Sequence, residues 1–198
     1  EIFDNLKRIN VIMVDFCQDI WFYISRGILV QKINEGEVGS STMPFKVNPI
    51  NFENAEGNFL LANSLLEFFS RKLPISRLQR DLTDSTILRN VGSAFSYILI
   101  ALSSFETGFD KLDINKKQID KELEDNYVVV SEGIQTRMKV LGMEESYEKM
   151  KDITRKYMDN ASIRKELVEF IDGNDFSADE KKYLKTITPF NYTGIYKL

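Results

Sequence analysis

Apolar residues recur at spacings of three and four along most of this chain, the period of helices that bury one face. Ile9, Ile12, Met13, Phe16 and Ile20 form such a stripe, and Trp21, Ile24 and Ile28 continue it. They predict a first helix from near residue 1 to about residue 32, with a bend near Gly27. A second helix is predicted over 53–71, with Leu61, Leu65 and Phe68 on one face and Leu66 and Phe69 widening it. Pro74 ends it, because proline lacks the N–H that a helix interior needs. A third helix is predicted over 85–108, apolar at Leu88, Val91, Phe95, Ile98, Leu99 and Leu102. Its small residues Gly92, Ser93 and Ala94 would admit a neighbouring helix, and so weakly charged a helix suits the middle of a bundle.

The pattern changes near Lys111, beyond which elements are shorter and charge is denser. Helices are predicted over about 116–126, 127–140, 144–156, 162–172 and 179–186. Ser162 and Ser177 have the character of helix starts, and Ser177 with Glu180 has the spacing of a capping box. Gly173 stands where a helix C-cap would. No strand pattern or internal repeat stands out, so the fold class expected is all-α. Two parts are expected: 1–110, a long-helix bundle carrying a non-helical loop at 36–49, and 111–198, a small helical domain.

Composition narrows the class. The 198 residues are 43% hydrophobic and 28% charged, with a net charge of −4. That balance is ordinary for a globular protein and the length supports one or two domains. The basic stripe of a nucleic-acid binder is missing, so no nucleic-acid partner is expected. The longest uncharged run, 90–105, is interrupted by serines and shorter than the roughly 18–20 apolar residues that span a bilayer, so no membrane partner is expected. The single cysteine, Cys17, has no internal partner for a disulfide, which fits a reducing compartment. Histidine, the commonest general acid/base, is absent. The chain opens at Glu1 inside an apparent helix and is expected to be the C-terminal portion of a longer protein whose histidines lie upstream.

Segment 39–49 interrupts two strongly helical stretches with Gly39, Ser40, Ser41, Thr42, Met43, Pro44, Phe45, Lys46, Val47, Asn48 and Pro49. A serine hydroxyl is a very weak base, useful only where a cation and backbone donors stabilise its alkoxide. Gly39 permits unusual backbone angles and close approach to a ligand, and Lys46 supplies a charge nearby. Taken alone, the serines could equally cap and turn, and Lys46 could be a solvated surface charge. Glu53 opens the second helix, where a carboxylate also complements the helix N-terminus, and Glu56 follows about one turn on. Further along, Arg80 and Arg89 flank Ser85. Two arginines and a serine at a helix start suit an anion; the plainer alternative is surface ion pairing with Asp81 or Asp84.

The 39–49 string resembles the signature Gly-Ser-Ser-x-Met-Pro-x-Lys-x-Asn-Pro of the fumarase/aspartase/argininosuccinate lyase superfamily, matching every fixed position. The run from Ser76 through Arg80, Asp81, Ser85 and Arg89 to Asn90 narrows the resemblance to the adenylosuccinate lyase family. The resemblance implies that Ser40 is the base that removes the proton beside a carboxylate. It implies that Lys46 and Asn48 hold the substrate carboxylates and the charged intermediate, fixed donors being the main means of stabilising such charge. Glu53 would orient a general-acid histidine supplied from upstream, Ser41, Thr42 and Met43 would contact substrate, and Arg80, Ser85 and Arg89 would hold an AMP moiety with its phosphate.

It further implies β-elimination of fumarate from adenylosuccinate and from SAICAR, no cofactor or metal, and a cytoplasmic homotetramer whose active sites are shared between chains. Phe45 departs from the family, many members having histidine there, and the two upstream signature regions are missing. Two alternatives stay open: another fumarate-releasing lyase of the superfamily, such as argininosuccinate lyase or fumarase, and a non-catalytic bundle like some lens crystallins.

Overall fold

The computed structural model describes residues 1–32, 48–78, 80–156 and 159–194. These form two compact units, Glu1–Asn115 and Lys116–Leu198, both mainly helical.

The first unit holds α1 (Ile2–Ser25), α2 (Ile50–Lys72), the short α3 (Thr83–Leu88) and α4 (Val91–Asp110). Helix α2 lies between α1 and α4. Its buried residues are Phe52, Ala55, Phe59, Ala62, Leu66 and Phe69, an unbroken alternation of three and four. This is the seam of knobs-into-holes packing. Helix α1 answers with the covered stripe Phe3, Leu6, Asn10, Met13, Cys17, Ile20 and Ile24, and α4 with Ala94, Ile98, Ala101, Phe105 and Gly108.

Paired residues fix the directions. Phe3 meets Phe69, Asn10 meets Asn63 and Gln18 meets Glu56, so α1 and α2 run antiparallel. Phe52 meets Phe105 edge-on at 5.6 Å, while Ala94 sits with Leu66 and Phe69, so α4 is antiparallel to α2 as well. Asn10 is 1% exposed and donates its amide to Asn63 Oδ1 at 2.9 Å. A buried, paired amide in such a seam favours one helix register, since any slip strands it among apolar groups.

Several expectations are corrected. Helix α1 stops at Ser25 rather than running to residue 32. Gly27 has φ +71°, its N–H donates to Ile24 O, and Ile28 N–H donates to Tyr23 O, the Schellman ending in which glycine takes the left-handed position. The chain then forms β1 (Leu29–Gln31), antiparallel to β2 (Leu112–Ile114), with Leu29 opposite Ile114 and Gln31 opposite Leu112. Three-residue strands carry too few positions to show a period.

The third predicted helix is broken at Arg89–Asn90 into α3 and α4. The apolar faces singled out in the sequence are covered only in part, at Ile20, Leu66 and Phe69 and, less deeply, at Met13, Leu65 and Ile98. Ile9, Ile12 and Phe16 of α1, Leu61 and Phe68 of α2, and Phe95, Leu99 and Leu102 of α4 are exposed in this chain. The 83–110 stretch is long and apolar enough to cross a bilayer, by length and composition alone. Its covered stripe of small residues against α2 is the surface of a bundle helix. Among the described residues Gly92 and Ser93 are exposed and a Cβ at Gly92 would meet nothing; α4 approaches α2 closely at Gly108, where a Cβ would stand 2.9 Å from Asn51 Cβ and 3.0 Å from the Phe52 ring.

The second unit contains α5 (Lys116–Asp125), a 3-10 turn (Tyr127–Val129), α6 (Val130–Val140), α7 (Ser146–Lys156), α8 (Asn160–Gly173) and α9 (Ala178–Thr186). One core of Val130, Ile134, Met138, Met150, Ile153, Ile163, Leu167, Ile171, Phe176, Leu184 and Ile187 holds it. Asp159, not Ser162, caps α8, accepting from Ser162 N–H at 2.8 Å. Gly173 is the last residue of α8 and Asn174 follows as its C-cap. Ser177 Oγ caps α9 by accepting from Glu180 N–H, but the Glu180 carboxylate does not complete the box. It pairs with Arg137 of α6, accepting from Nε at 2.8 Å and from the neighbouring guanidinium N–H.

Candidate functional site

Of the ten residues singled out by the sequence, Ser40, Ser41, Thr42, Met43 and Lys46 lie outside the described residues, as does most of the 36–49 loop. The other five fall into two groups at opposite ends of α2.

The first group is Asn48 and Glu53. Asn48 is exposed one residue before Pro49, whose carbonyl accepts from the N–H groups of Phe52 and Glu53 and so opens α2. Glu53 stands in the first turn, where the unpaired N–H dipoles favour a carboxylate. Its Oε1 accepts from Trp21 Nε1 of α1 at 3.2 Å. One turn on, Glu56 accepts from Gln18 Nε2 at 2.8 Å. Two polar side chains of α1, three residues apart, thus hold the two carboxylates of α2, three residues apart. From the other side, Ser104 Oγ of α4 donates to Asn51 O at 3.0 Å and Gly108 gives α2 room to approach.

Cys17 is buried beside this end, and burial, reinforced by the Glu56 charge, pushes its thiol up to about 11. A thiol so held stays protonated and unreactive at neutral pH.

The second group follows the C-terminus of α2. Arg80, Ser85 and Arg89 are all exposed. Ser85 is the third residue of the six-residue α3, and its Oγ donates to Leu82 O at 3.0 Å. The ion pairs that sequence offered as the plainer fate of the arginines do not form. Asp81 and Asp84 turn instead to Lys72 Nζ, at 3.1 and 3.4 Å. Asp81 also accepts from Thr83 Oγ1 at 2.6 Å and Thr83 N–H at 2.9 Å. These bonds from Thr83, then the Lys72 charge, hold the Asp81 carboxyl far below the usual carboxylate range. The same contact, with Asp81 its main cause, raises the Lys72 ammonium above its ordinary value. Among the described residues neither Arg80 nor Arg89 is in an ion pair.

Helix α2 has 23 residues, so at 1.5 Å per residue its two ends stand roughly 35 Å apart. Sequence reasoning assigned both groups to one substrate but missed this separation. It also missed Trp21 and Lys72 as supports. Each meets its partner only through the fold, Trp21 across 32 positions and Lys72 across a turn with no regular period. No group of three or more potential metal-ligating side chains occurs among the described residues.

Comparison with known proteins bears on both groups. Residues 76–193 match the family model described as adenylosuccinate lyase C-terminal, and residues 1–60 match one described as lyase. The chain is 52% identical to an adenylosuccinate lyase of Dictyostelium discoideum over 97% of its length and 41% of the relative's. It is 48% identical to those of Vibrio cholerae and Escherichia coli K12, over 98% of this chain and 42% of each relative. It therefore spans about two fifths of the length of these relatives. In fold it is similar to a fumarate lyase:delta crystallin of Brucella melitensis solved bound to cobalt, with a TM-score of 0.61 at 17% identity, covering 92% of this chain and 38% of that one.

Proposed function

Since this chain belongs to the adenylosuccinate lyase family, by a match that covers more than half of it, we propose that the protein it comes from releases fumarate from adenylosuccinate, leaving AMP, and from SAICAR, leaving AICAR. The observation that carries the substrate is the state of Arg80 and Arg89. Both are exposed, while the acidic residues able to neutralise them are held by Lys72. Two such guanidinium groups suit a phosphate, which the small dicarboxylates of fumarase and aspartase chemistry do not carry.

In this reading the Ser40 oxygen takes the proton from the succinyl Cβ. The electron pair left behind moves into the adjoining carboxylate, whose added charge Lys46 and Asn48 stabilise as fixed donors. Its return forms the Cα–Cβ double bond of fumarate and breaks the C–N bond. The departing nitrogen takes a proton from a histidine in the part of the protein preceding this chain, oriented by Glu53. The 36–49 loop would close over the substrate and exclude water.

The separation along α2 bears on assembly. A single nucleotide substrate is far shorter than the roughly 30 Å from Glu53 to the end of α2, beyond which the Arg80–Arg89 run follows. Both groups can serve one substrate only if different copies of the chain supply them. The exposed apolar faces of α1, α2 and α4 offer the surface for such an assembly. We therefore read the protein as an oligomer with composite sites, and the family resemblance implies a cytoplasmic homotetramer.

Cleavage of adenylosuccinate by the complete protein, followed by ultraviolet absorbance with argininosuccinate run beside it, tests the substrate. Turnover of the purine alone supports this reading. Turnover of argininosuccinate alone would keep the chemistry and replace the substrate, and activity on neither would favour a non-catalytic bundle. Mixing Glu53→Gln with Arg89→Ala subunits tests the assembly: activity should return to about a quarter of the parent's, since random association restores some intact composite sites. No recovery would place both residues in one chain's site.

A further inference from the structure

The nucleotide reading leaves unexplained why two arginines can stay open beside two aspartates in the run Arg80, Asp81, Asp84, Arg89. Lys72 answers this. It is the last residue of α2, 23% exposed, and its Nζ lies 3.2 Å from Ile75 O, 3.1 Å from Asp81 Oδ2 and 3.4 Å from Asp84 Oδ1. Asp81 is 6% exposed and its second oxygen is occupied by the hydroxyl and N–H of Thr83. One ammonium thus ties the end of α2 to the turn that follows it and to the first turn of α3. It holds the Asp81 carboxylate away from solvent and engages the Asp84 carboxylate, whose side chain stays 33% exposed.

We propose that Lys72 is a positioning residue for phosphate recognition: by sequestering Asp81 and Asp84 it keeps Arg80 and Arg89 available to the 5′-phosphate of the substrate. The inference rests on the nucleotide reading above. Without the Lys72 charge, the two aspartates are left with no cation. Arg80 adjoins Asp81 and Arg89 lies five residues beyond Asp84, so in this proposal their guanidinium groups take up the released carboxylates. Each such pair removes a guanidinium from the phosphate and sets a carboxylate against it. Lys72 itself need not touch substrate.

The test uses the complete protein, with adenylosuccinate and its dephosphorylated nucleoside as paired substrates. Lys72→Met should raise KM for the phosphorylated substrate about tenfold, the scale of a lost charge-assisted contact. It should leave kcat within about twofold and KM for the nucleoside unchanged. Lys72→Arg should restore the parent value, and Lys72→Met/Asp84→Asn should bring the rise down to about threefold, one competing carboxylate having gone. An equal rise for both substrates, or loss of kcat alone, would show that Lys72 merely braces the fold and would overturn the proposal. Should Lys72→Met not fold, the double variant is read against Asp84→Asn alone, and equal KM values overturn it. The underlying reading fails separately: the parent would then not distinguish the two substrates, and Arg89→Ala would leave KM unmoved.

Discussion

In the second unit the deepest positions belong to large side chains: Ile134, Met138, Leu167, Ile171 and Leu184. In α1 and α4 of the first unit they belong to Asn10, Cys17, Ala94, Ala101 and Gly108, small or polar residues that let the helices lie close to α2. Many larger apolar residues of those two helices, among them Ile9, Ile12, Phe16, Phe95, Leu99 and Leu102, turn outward. Among the described residues the first unit exposes twenty-three large hydrophobics and the second seven. The second unit satisfies its own hydrophobic demand within one core. The first does so only along one seam, and the rest of its apolar surface fits the contacts of a larger assembly. The groups assigned to chemistry all lie in the first unit, where burial is incomplete.

The comparison can be broken first at the core of the second unit. Ile134→Ala should destabilise it by about 2–5 kcal/mol, the cost of a fully buried cavity, read by denaturant unfolding. A cost under about 1 kcal/mol would mean that this core is not closed. Next comes Gly108→Ala, where the new methyl meets Asn51 and the Phe52 ring. Overpacking there should cost about 1–3 kcal/mol. Because it shifts the end of α2 that carries Asn48 and Glu53, kcat should fall more than stability alone explains.

Leu99→Glu probes the outward face, the residue being 66% exposed. Helix content should be kept while light scattering reports a smaller assembly; an unchanged mass would leave that face uncovered.

The smallest effect expected is electrostatic. The Arg137 guanidinium lowers the Glu180 carboxyl below its ordinary value of 4.5. A depressed carboxylate contributes stability that is fully present above its unfolded value and lost as pH falls through the folded one. The difference in melting temperature between the parent and Glu180→Gln should therefore persist at neutral pH and close below about pH 4.5, the ordinary value.

Periodicity alone located α2 to within three residues at its start and one at its end, because a long helix repeats its signal many times over. The same signal misled about faces. A helix apolar on two sides gives one stripe as strong as the other, so Leu66 and Phe69 were named only as the margin of a face centred on Leu61, Leu65 and Phe68, although they belong to the buried seam with Phe52, Ala55 and Phe59. The ribbon pairing Leu29 with Ile114 joins chain segments more than eighty residues apart, which no local pattern records.

The candidate site divides the same way. The candidacy of Ser40, Lys46, Asn48, Glu53, Arg80, Ser85 and Arg89 rests on residue order, since a motif is a local string. Sequence by itself determined the all-α class, the change of character near residue 111 and the family to which the chain belongs. Only the tertiary structure decided that Trp21 holds Glu53, that Lys72 takes Asp81 and Asp84 from the arginines, and that α2 keeps the two groups a helix length apart. Order along the chain records which groups are present. Their distances and partners are set by packing, through contacts between residues that no local pattern connects.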